Sequence, residues 1–260
     1  MNEFCTITRY YGNHEEDLVK LWYFIDQAKT YSNRILIGVN IEKDRTDCIR
    51  KYSQQQSYPS HIPIEFIPIK PWKGISTPLN ILLNHIPIQQ SYVLIQSVEI
   101  QCTSQYIARL RSYLKDNNIL CVGAVLDGHQ IFSREIHTKY LPLCGDTSPW
   151  NTLAIWNLEK LRRTGFPLCA DLVNPSGMED AVTIALQQKL FGGMKKNRAL
   201  LIHFNKNVPW SVQFEYDQKR YLKHQMKMSS KNSRTEELLQ ILEISNNDQV
   251  GTEYINDQVC

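Results

Sequence analysis

The sequence predicts an α/β fold, a doubly wound and mainly parallel sheet in a single domain followed by a polar C-terminal tail. Two observations carry that expectation. Short apolar runs of buried-strand type alternate with amphipathic helical stretches four times before Gly128, the pattern that right-handed crossovers turn into a parallel sheet. The 260 residues are 42% hydrophobic, enough for one large core.

In order along the chain, Phe4 to Thr8 reads as the first strand, and Asn13 with Glu16 as the cap of a helix whose buried stripe is Leu18, Leu21, Trp22, Ile25 and Ala28. Arg34 to Asn40 (RILIGVN) is a second buried strand, followed by a polar turn and a helix through Ile49 and Tyr52. Asp47 is the natural cap of that helix. Ser53 to Pro63 is a polar linker, and Ile64 to Pro68 a third strand stopped by Pro68 and Pro71.

The central stretch runs from Gly74 to Glu99. Ser76 or Thr77 caps a helix with Pro78 in its first turn, and Leu79, Leu82, Leu83 and Ile86 form one buried stripe. Tyr92 to Ile95 is then a strand covered on both faces, so Glu99 belongs beyond its carboxyl end, in the crevice where open α/β sheets hold ligands. Thr103 caps the next helix, with Ile107, Leu110 and Leu114 inward, and Ile119 to Leu126 is a strand ending at the Asp127-Gly128 turn.

Within Gly145 to Pro167, Ser148 and Pro149 start a predicted helix bearing Trp150, Leu153, Trp156 or Asn157, and Leu161, closed by Gly165-Phe166-Pro167. Gly177-Met178-Glu179-Asp180 opens another helix, through Val182, Ala185, Leu186 and Leu190. Two acids in a first helical turn complement the helix dipole whatever else they do. Arg198 to Phe204 is a late strand, and the chain from Ser229 onward is rich in Ser, Asn and Gln, with one short helical pattern at Thr235–Ile244 and a disordered end.

Bulk properties exclude several classes. A net charge of +3 with scattered basic residues disfavours duplex nucleic acid as a partner. No apolar run approaches the ~20 residues of a spanning helix, and the first residues lack the pattern of a secretory signal, so the expectation is a soluble, cytoplasmic protein. Seven cysteines form no C-x-x-C pair and read as free thiols, several of them in apolar patterns, with neither a disulfide framework nor a zinc site expected.

The ordered series of glycine, Thr77-Pro78-Leu79-Asn80, amphipathic helix, apolar strand and Ser97-Val98-Glu99 resembles the middle of a family-two, GT-A-type nucleotide-sugar glycosyltransferase. In that family the corresponding frame runs glycine, Ala-Arg-Asn, helix, and a strand ending in Asp-X-Asp. Here Ser97 replaces the first acid. The resemblance covers roughly residues 4 to 190 and implies a nucleotide-binding half at 1–126, an acceptor-side half at 127–228 and a tail at 229–260.

It also implies roles. Arg9, Tyr10, Asn40, Asn80 and Ser97 fall at donor or nucleotide positions, with Asn40 in the place of a carboxylate that meets base or ribose. Glu99 and a late histidine, His203 or His224, stand where the family holds a divalent cation, Mn²⁺ or Mg²⁺. The late basic residues Arg220, Lys223 and Lys227 stand where it grips the diphosphate. Trp150 and Asn151 fall on the acceptor side, where Trp150 either stacks a sugar ring or packs in the core; Trp156 reads as core.

Asp180 matches the family's general base, beside Glu179. The implied activity is transfer of a sugar from a nucleoside-diphosphate sugar, a UDP-sugar first, to a carbohydrate or other hydroxyl acceptor, with inversion. A catalytically inactive nucleotide- or sugar-binding module is the alternative, motivated by Ser97 and Asn40. A nucleotidyltransferase ranks third, because only Gly12 stands where its Gly-rich phosphate loop would be.

Overall fold

The computed structural model describes residues 4–10, 15–41, 61–131, 138–204, 218–245 and 249–257. The expected cap at Asn13, the turn and helix at 42–52, most of the linker to Pro63 and the loop at 208–211 lie outside these residues.

Among the described residues nine strands form one sheet: β1 (Phe4–Tyr10), β2 (Ser32–Asn40), β3 (Ile64–Ile69), β4 (Tyr92–Gln96), β5 (Ile119–Ala124), β6 (Thr138–Pro142), β7 (Leu153–Asn157), β8 (Arg198–Phe204) and β9 (Gly251–Asp257). Their order across the sheet is β3-β2-β1-β4-β7-β5-β8-β9-β6. Pairing is parallel for β1 with β2 and β4, β2 with β3, and β8 with β5 and β9. It is antiparallel for β7 with β4 and β5, and for β6 with β9. This is the α/β, mostly parallel architecture that the alternation predicts. Pro68 sits in β3, at the sheet edge, where its missing N–H costs no ladder bond.

The chain steps outward from β1 to β2 to β3 and then returns to place β4 on the other side of β1. That reversal splays the connections apart at the carboxyl ends of β1 and β4 and opens a crevice there. The helices are α1 (Glu15–Ala28), α2 (Ser76–Asn84), α3 (Ser104–Arg111), α4 (Leu158–Leu161), α5 (Glu179–Leu190), α6 (Gly193–Lys196), α7 (Gln218–Ser229) and α8 (Lys231–Ile241). Among the described residues no helix is long and apolar enough to cross a membrane.

Helix α2 buries Leu79, Leu82 and Leu83 as its spacing requires, but its cap comes from far along the chain. Asp171, in a 3-10 turn at Leu168–Asp171, accepts from the backbone N–H of Ile75 (2.5 Å), Ser76 (2.7 Å) and Thr77 (2.9 Å) and from the Thr77 hydroxyl (2.7 Å). The carboxylate thus does what Ser76 or Thr77 is expected to do, and it adds charge favourable to the helix dipole. Gly74 (φ +53°) makes room, since a Cβ there would lie 2.1 Å from Asp171 Oδ1.

Two sequence expectations are overturned. The predicted helix from Ser148 to Leu161 is instead mostly strand β7, with only Leu158–Leu161 helical. Leu153, Ala154, Ile155 and Trp156 are all completely buried between β4 and β5; such a run covered on both sheet faces carries apolar residues at every position, and helical spacing can be read into it by chance.

The second concerns the tail after Ser229, which contributes helix α8 and strand β9, the latter between β8 and β6. Its polar composition is tolerated because the charges are paired. Arg198 makes a bidentate contact with buried Glu253 (2.6 and 2.7 Å), and Arg109 grips Asp257 through two bonds (2.7 and 2.5 Å).

Candidate active site

A cleft of about 250 Å³ opens at the carboxyl ends of β1 and β4. Thr8 and Arg9 from β1 and Gln96, Ser97 and Glu99 from the end of β4 form its floor. Trp150 to Thr152, Ser176 to Asp180, and His224, Lys227, Met228, Lys231 and Arg234 from α7 and α8 form its walls.

The acid pair lies at the start of α5, where left-handed Met178 (φ 67°) turns the chain into the helix. Glu179 and Asp180 are each only 4% exposed. Asp180 accepts hydrogen bonds from Asn151 N (3.1 Å), Ala181 N (2.6 Å) and Ser148 Oγ (3.3 Å). Burial and the neighbouring Glu179 carboxylate nevertheless raise its pKa from 3.8 to about 7, and those three donors only partly offset the rise. A carboxylate balanced near neutrality can take a proton and give it up at ordinary pH.

Asn151 holds the pair in place. Its backbone N–H binds Asp180, its side-chain Nδ2 donates to Glu179 Oε1 (3.0 Å), and its Oδ1 accepts from the fully buried Trp156 Nε1 (2.8 Å). With both ends of the amide engaged, Asn151 acts here as a brace for the acids.

Facing the acids is a group of cations. Arg9 is half-buried; burial pulls its pKa down, opposed by the Glu179, Asp171 and Asp180 carboxylates. Lys227 falls from 10.5 to about 8, chiefly through burial and then through repulsion from Arg9 and Lys223. Arg234 is also lowered by burial, against the pull of Glu179 and Asp180. Gly177 (φ +147°) admits Arg234, whose Nη1 would lie 2.7 Å from a Cβ at that position. Lys231 pairs with Asp146 (2.6 Å).

Trp150 is 7% exposed and stacks on His129 with ring centroids 3.7 Å apart at 22°. Its Nε1 donates to Gly145 O (2.8 Å), and Lys231 Nζ lies 5.0 Å from its ring centre. His129 accepts from Leu126 N–H at Nδ1 (3.0 Å) and therefore donates from Nε2 to Ser148 O (3.1 Å). Burial lowers its pKa to about 4, so the imidazole is neutral. One face of the indole is thus covered, and Trp150 is built into the wall of the cleft.

Of the residues that the sequence singles out, Arg9, Ser97, Glu99, Trp150, Asn151, Glu179, Asp180 and His224 meet in this one cleft. Tyr10, Asn40 and Asn80 do not line it: Tyr10 and Asn40 are each 3% exposed. Both ends of the Asn80 amide clamp the Gly165-Phe166 turn, Nδ2 donating to Phe166 O and Oδ1 accepting from Phe166 N, each at 2.8 Å. His203 lies elsewhere, hydrogen-bonded to Tyr254 Oη (2.9 Å). Lys231 and Arg234 fall in the polar segment read as a tail, and the three-residue spacing of Lys231 and Arg234 on α8 is the one local sign that they share a face.

The residues fit a protein-held divalent ion poorly. Ser97 occupies the place of the first acid, Glu99 and His224 are the two metal-type donors outside the buried acid pair, and no group of three or more His, Cys, Asp or Glu side chains is arranged around a common ion position among the described residues.

Sheet order, crevice position and the acid-lined cleft define a GT-A-type α/β fold. Among solved structures, the fold matches the mannosyltransferase PcManGT from Pyrobaculum calidifontis in complex with GDP-Man and Mn²⁺, with TM-score 0.61 and 14% identity over 88% of this chain and 62% of that one. This chain thus spans less than two thirds of that protein's length. It also matches S. aureus TarS 1-349 (TM-score 0.54, 13% identity, 95% of this chain and 77% of that one). A third match is the 4-diphosphocytidyl-2C-methyl-D-erythritol synthase of Anaerococcus prevotii (TM-score 0.54, 10% identity, 87% and 100%). No family model and no curated protein matches the sequence.

Proposed function

We propose that the protein is a glycosyltransferase that moves a sugar from a nucleoside-diphosphate sugar to an acceptor hydroxyl with inversion. The observation that carries this reading is the buried Asp180 carboxylate, raised toward neutrality, in the same cleft as Arg9, Lys227 and Arg234. Asp180 takes the acceptor hydroxyl's proton as that oxygen attacks the anomeric carbon from the side opposite the leaving diphosphate, and the single displacement inverts the centre. Glu179 and Asn151 position Asp180: Glu179 raises its basicity by repulsion, and Asn151 fixes its orientation through the backbone.

The match to PcManGT, a mannosyltransferase with GDP-Man bound, supports the donor class. A uridine or guanosine diphosphate sugar is the donor to try first. Free thiols, with Cys5, Cys102 and Cys121 buried, accord with a reducing, cytoplasmic setting. The competing reading is a donor-binding module without turnover, favoured by Ser97 at the first acid position and by the full set of donors already bound to Asp180.

The test is a panel of nucleotide sugars assayed for donor hydrolysis and transfer, with and without Mn²⁺ or Mg²⁺. The proposal expects one donor to be consumed. Donors that bind calorimetrically and are never consumed would establish the module instead.

A further inference from the structure

We infer that the charge of the departing diphosphate is neutralised by the side chains of Arg9, Lys227 and Arg234, and that the reaction needs no divalent ion. This inference rests on the nucleotide-sugar reading and goes beyond it by assigning the diphosphate subsite.

Arg9 and Lys227 are half-buried in the cleft, yet neither side chain makes a hydrogen bond or ion pair among the described residues, although the Glu179 carboxylate attracts both. Arg234 is better than nine-tenths buried, and its three nitrogens donate only to neutral oxygens: Ser230 Oγ (3.1 Å), Pro175 O (3.0 Å) and Lys227 O (2.6 Å). Desolvated cations without bonded counter-ions are costly unless an anion completes them.

The three cations also converge from different parts of the fold. Arg9 arrives from the end of β1, Lys227 from α7 and Arg234 from α8, so three separate elements bring like charges into one cleft, where the single Glu179 carboxylate attracts all three. Repulsion from Arg9 and Arg234 contributes to the lowering at Lys227. A ligand with two adjacent phosphates relieves that repulsion, whereas a divalent cation would add to it.

The acids of the cleft divide the work between them. Glu179 and Asp180 are held by Asn151 and serve the acceptor side, which leaves Glu99 and His224 as metal-type donors beside Ser97. The step balances without an ion. The acceptor oxygen forms the new bond to the anomeric carbon, the anomeric C–O bond breaks with its electron pair leaving on the diphosphate, and Asp180 holds the acceptor's proton.

The experiment is calorimetric titration of the full chain with inorganic pyrophosphate and with UDP and GDP, first in excess EDTA and then with Mn²⁺. The inference expects binding in EDTA, little strengthened by Mn²⁺ and weakened by salt. Lys227→Gln should lose affinity on the order of 10- to 100-fold, the worth of one charge-assisted hydrogen bond, while Lys227→Arg retains most of it. Absence of binding in EDTA with recovery in Mn²⁺ would overturn it, as would wild-type affinity in both Lys227→Gln and Arg9→Gln. Donor consumption in the same buffers separates the two claims. Metal-free pyrophosphate binding without any donor turnover upholds the anion subsite and defeats the transferase reading. Turnover strictly dependent on Mn²⁺ upholds the transferase and defeats this inference.

Discussion

Replacing Asn151 by Ala removes the side-chain brace between the acid pair and the core while keeping the backbone N–H that Asp180 accepts. Two bonds vanish: Trp156 Nε1 to Oδ1 (2.8 Å), from a fully buried indole, and Nδ2 to Glu179 Oε1 (3.0 Å), to a carboxylate 4% exposed. An orphaned buried donor costs about 1–3 kcal/mol, and a lost bond to a charged acceptor about 1.5–3. The two share one side chain and do not add fully, so the expected loss is about 3 kcal/mol. For a chain of this size that corresponds to a melting temperature lower by about 6–12 °C. Thermal unfolding followed by circular dichroism measures it, with urea titration as a check on the slope. A shift within about 1 °C would refute the brace, because it would mean that neither the indole nor the carboxylate depends on this amide.

Three further outcomes are expected. Asp171→Ala should destabilise by about 2 kcal/mol, because it strips four bonds from the start of α2, and a melting curve identical to wild type would show that water replaces the cap. Truncation after Ser230 should abolish cooperative unfolding, since it withdraws β9 from between β8 and β6 and leaves Arg198 and Arg109 without Glu253 and Asp257; an unchanged melting temperature would contradict the observed sheet. The third concerns pH. The folded pKa of Asp180 is raised, so its contribution to stability is present below the unfolded value of 3.8 and is lost as pH rises toward about 7. Asp180→Asn should therefore gain in melting temperature relative to wild type across that window and level off above it. A difference independent of pH would show that Asp180 is not desolvated.

Much of this molecule is written in local periodicity. Leu79, Leu82 and Leu83 announce α2, Tyr92 to Ile95 announces β4, and the position of Glu99 beyond a buried strand follows from the cost of burying a carboxylate. The meeting of Arg9, Glu99, Trp150, Asn151, Glu179, Asp180 and His224 in one cleft was anticipated from chain order and resemblance, since a doubly wound sheet brings its strand ends together.

What was illegible depends on partners distant in sequence. Nothing near Ser76 tells that Asp171 caps its helix, and nothing in Gly251–Asp257 tells that Arg198 and Arg109 make its acids acceptable inside a sheet. Strand β7 was misread because a segment buried on both faces loses the alternation by which strands are recognised. Asn80 lies on its helix as the spacing requires, yet its amide is spent on Phe166, eighty-six residues on.

The central claim is that Asp180 removes the acceptor's proton, and turnover of Asp180→Asn tests it most directly. With the donor identified from the panel, the single-residue variant is compared with wild type at saturating donor and acceptor. The account predicts a loss of about 10²–10⁴-fold in kcat, as expected for removal of a general base, with donor affinity nearly unchanged because Arg9, Lys227 and Arg234 are intact. A correctly folded Asp180→Asn protein with near-wild-type kcat would contradict it and reduce Asp180 to a structural acid at a helix start.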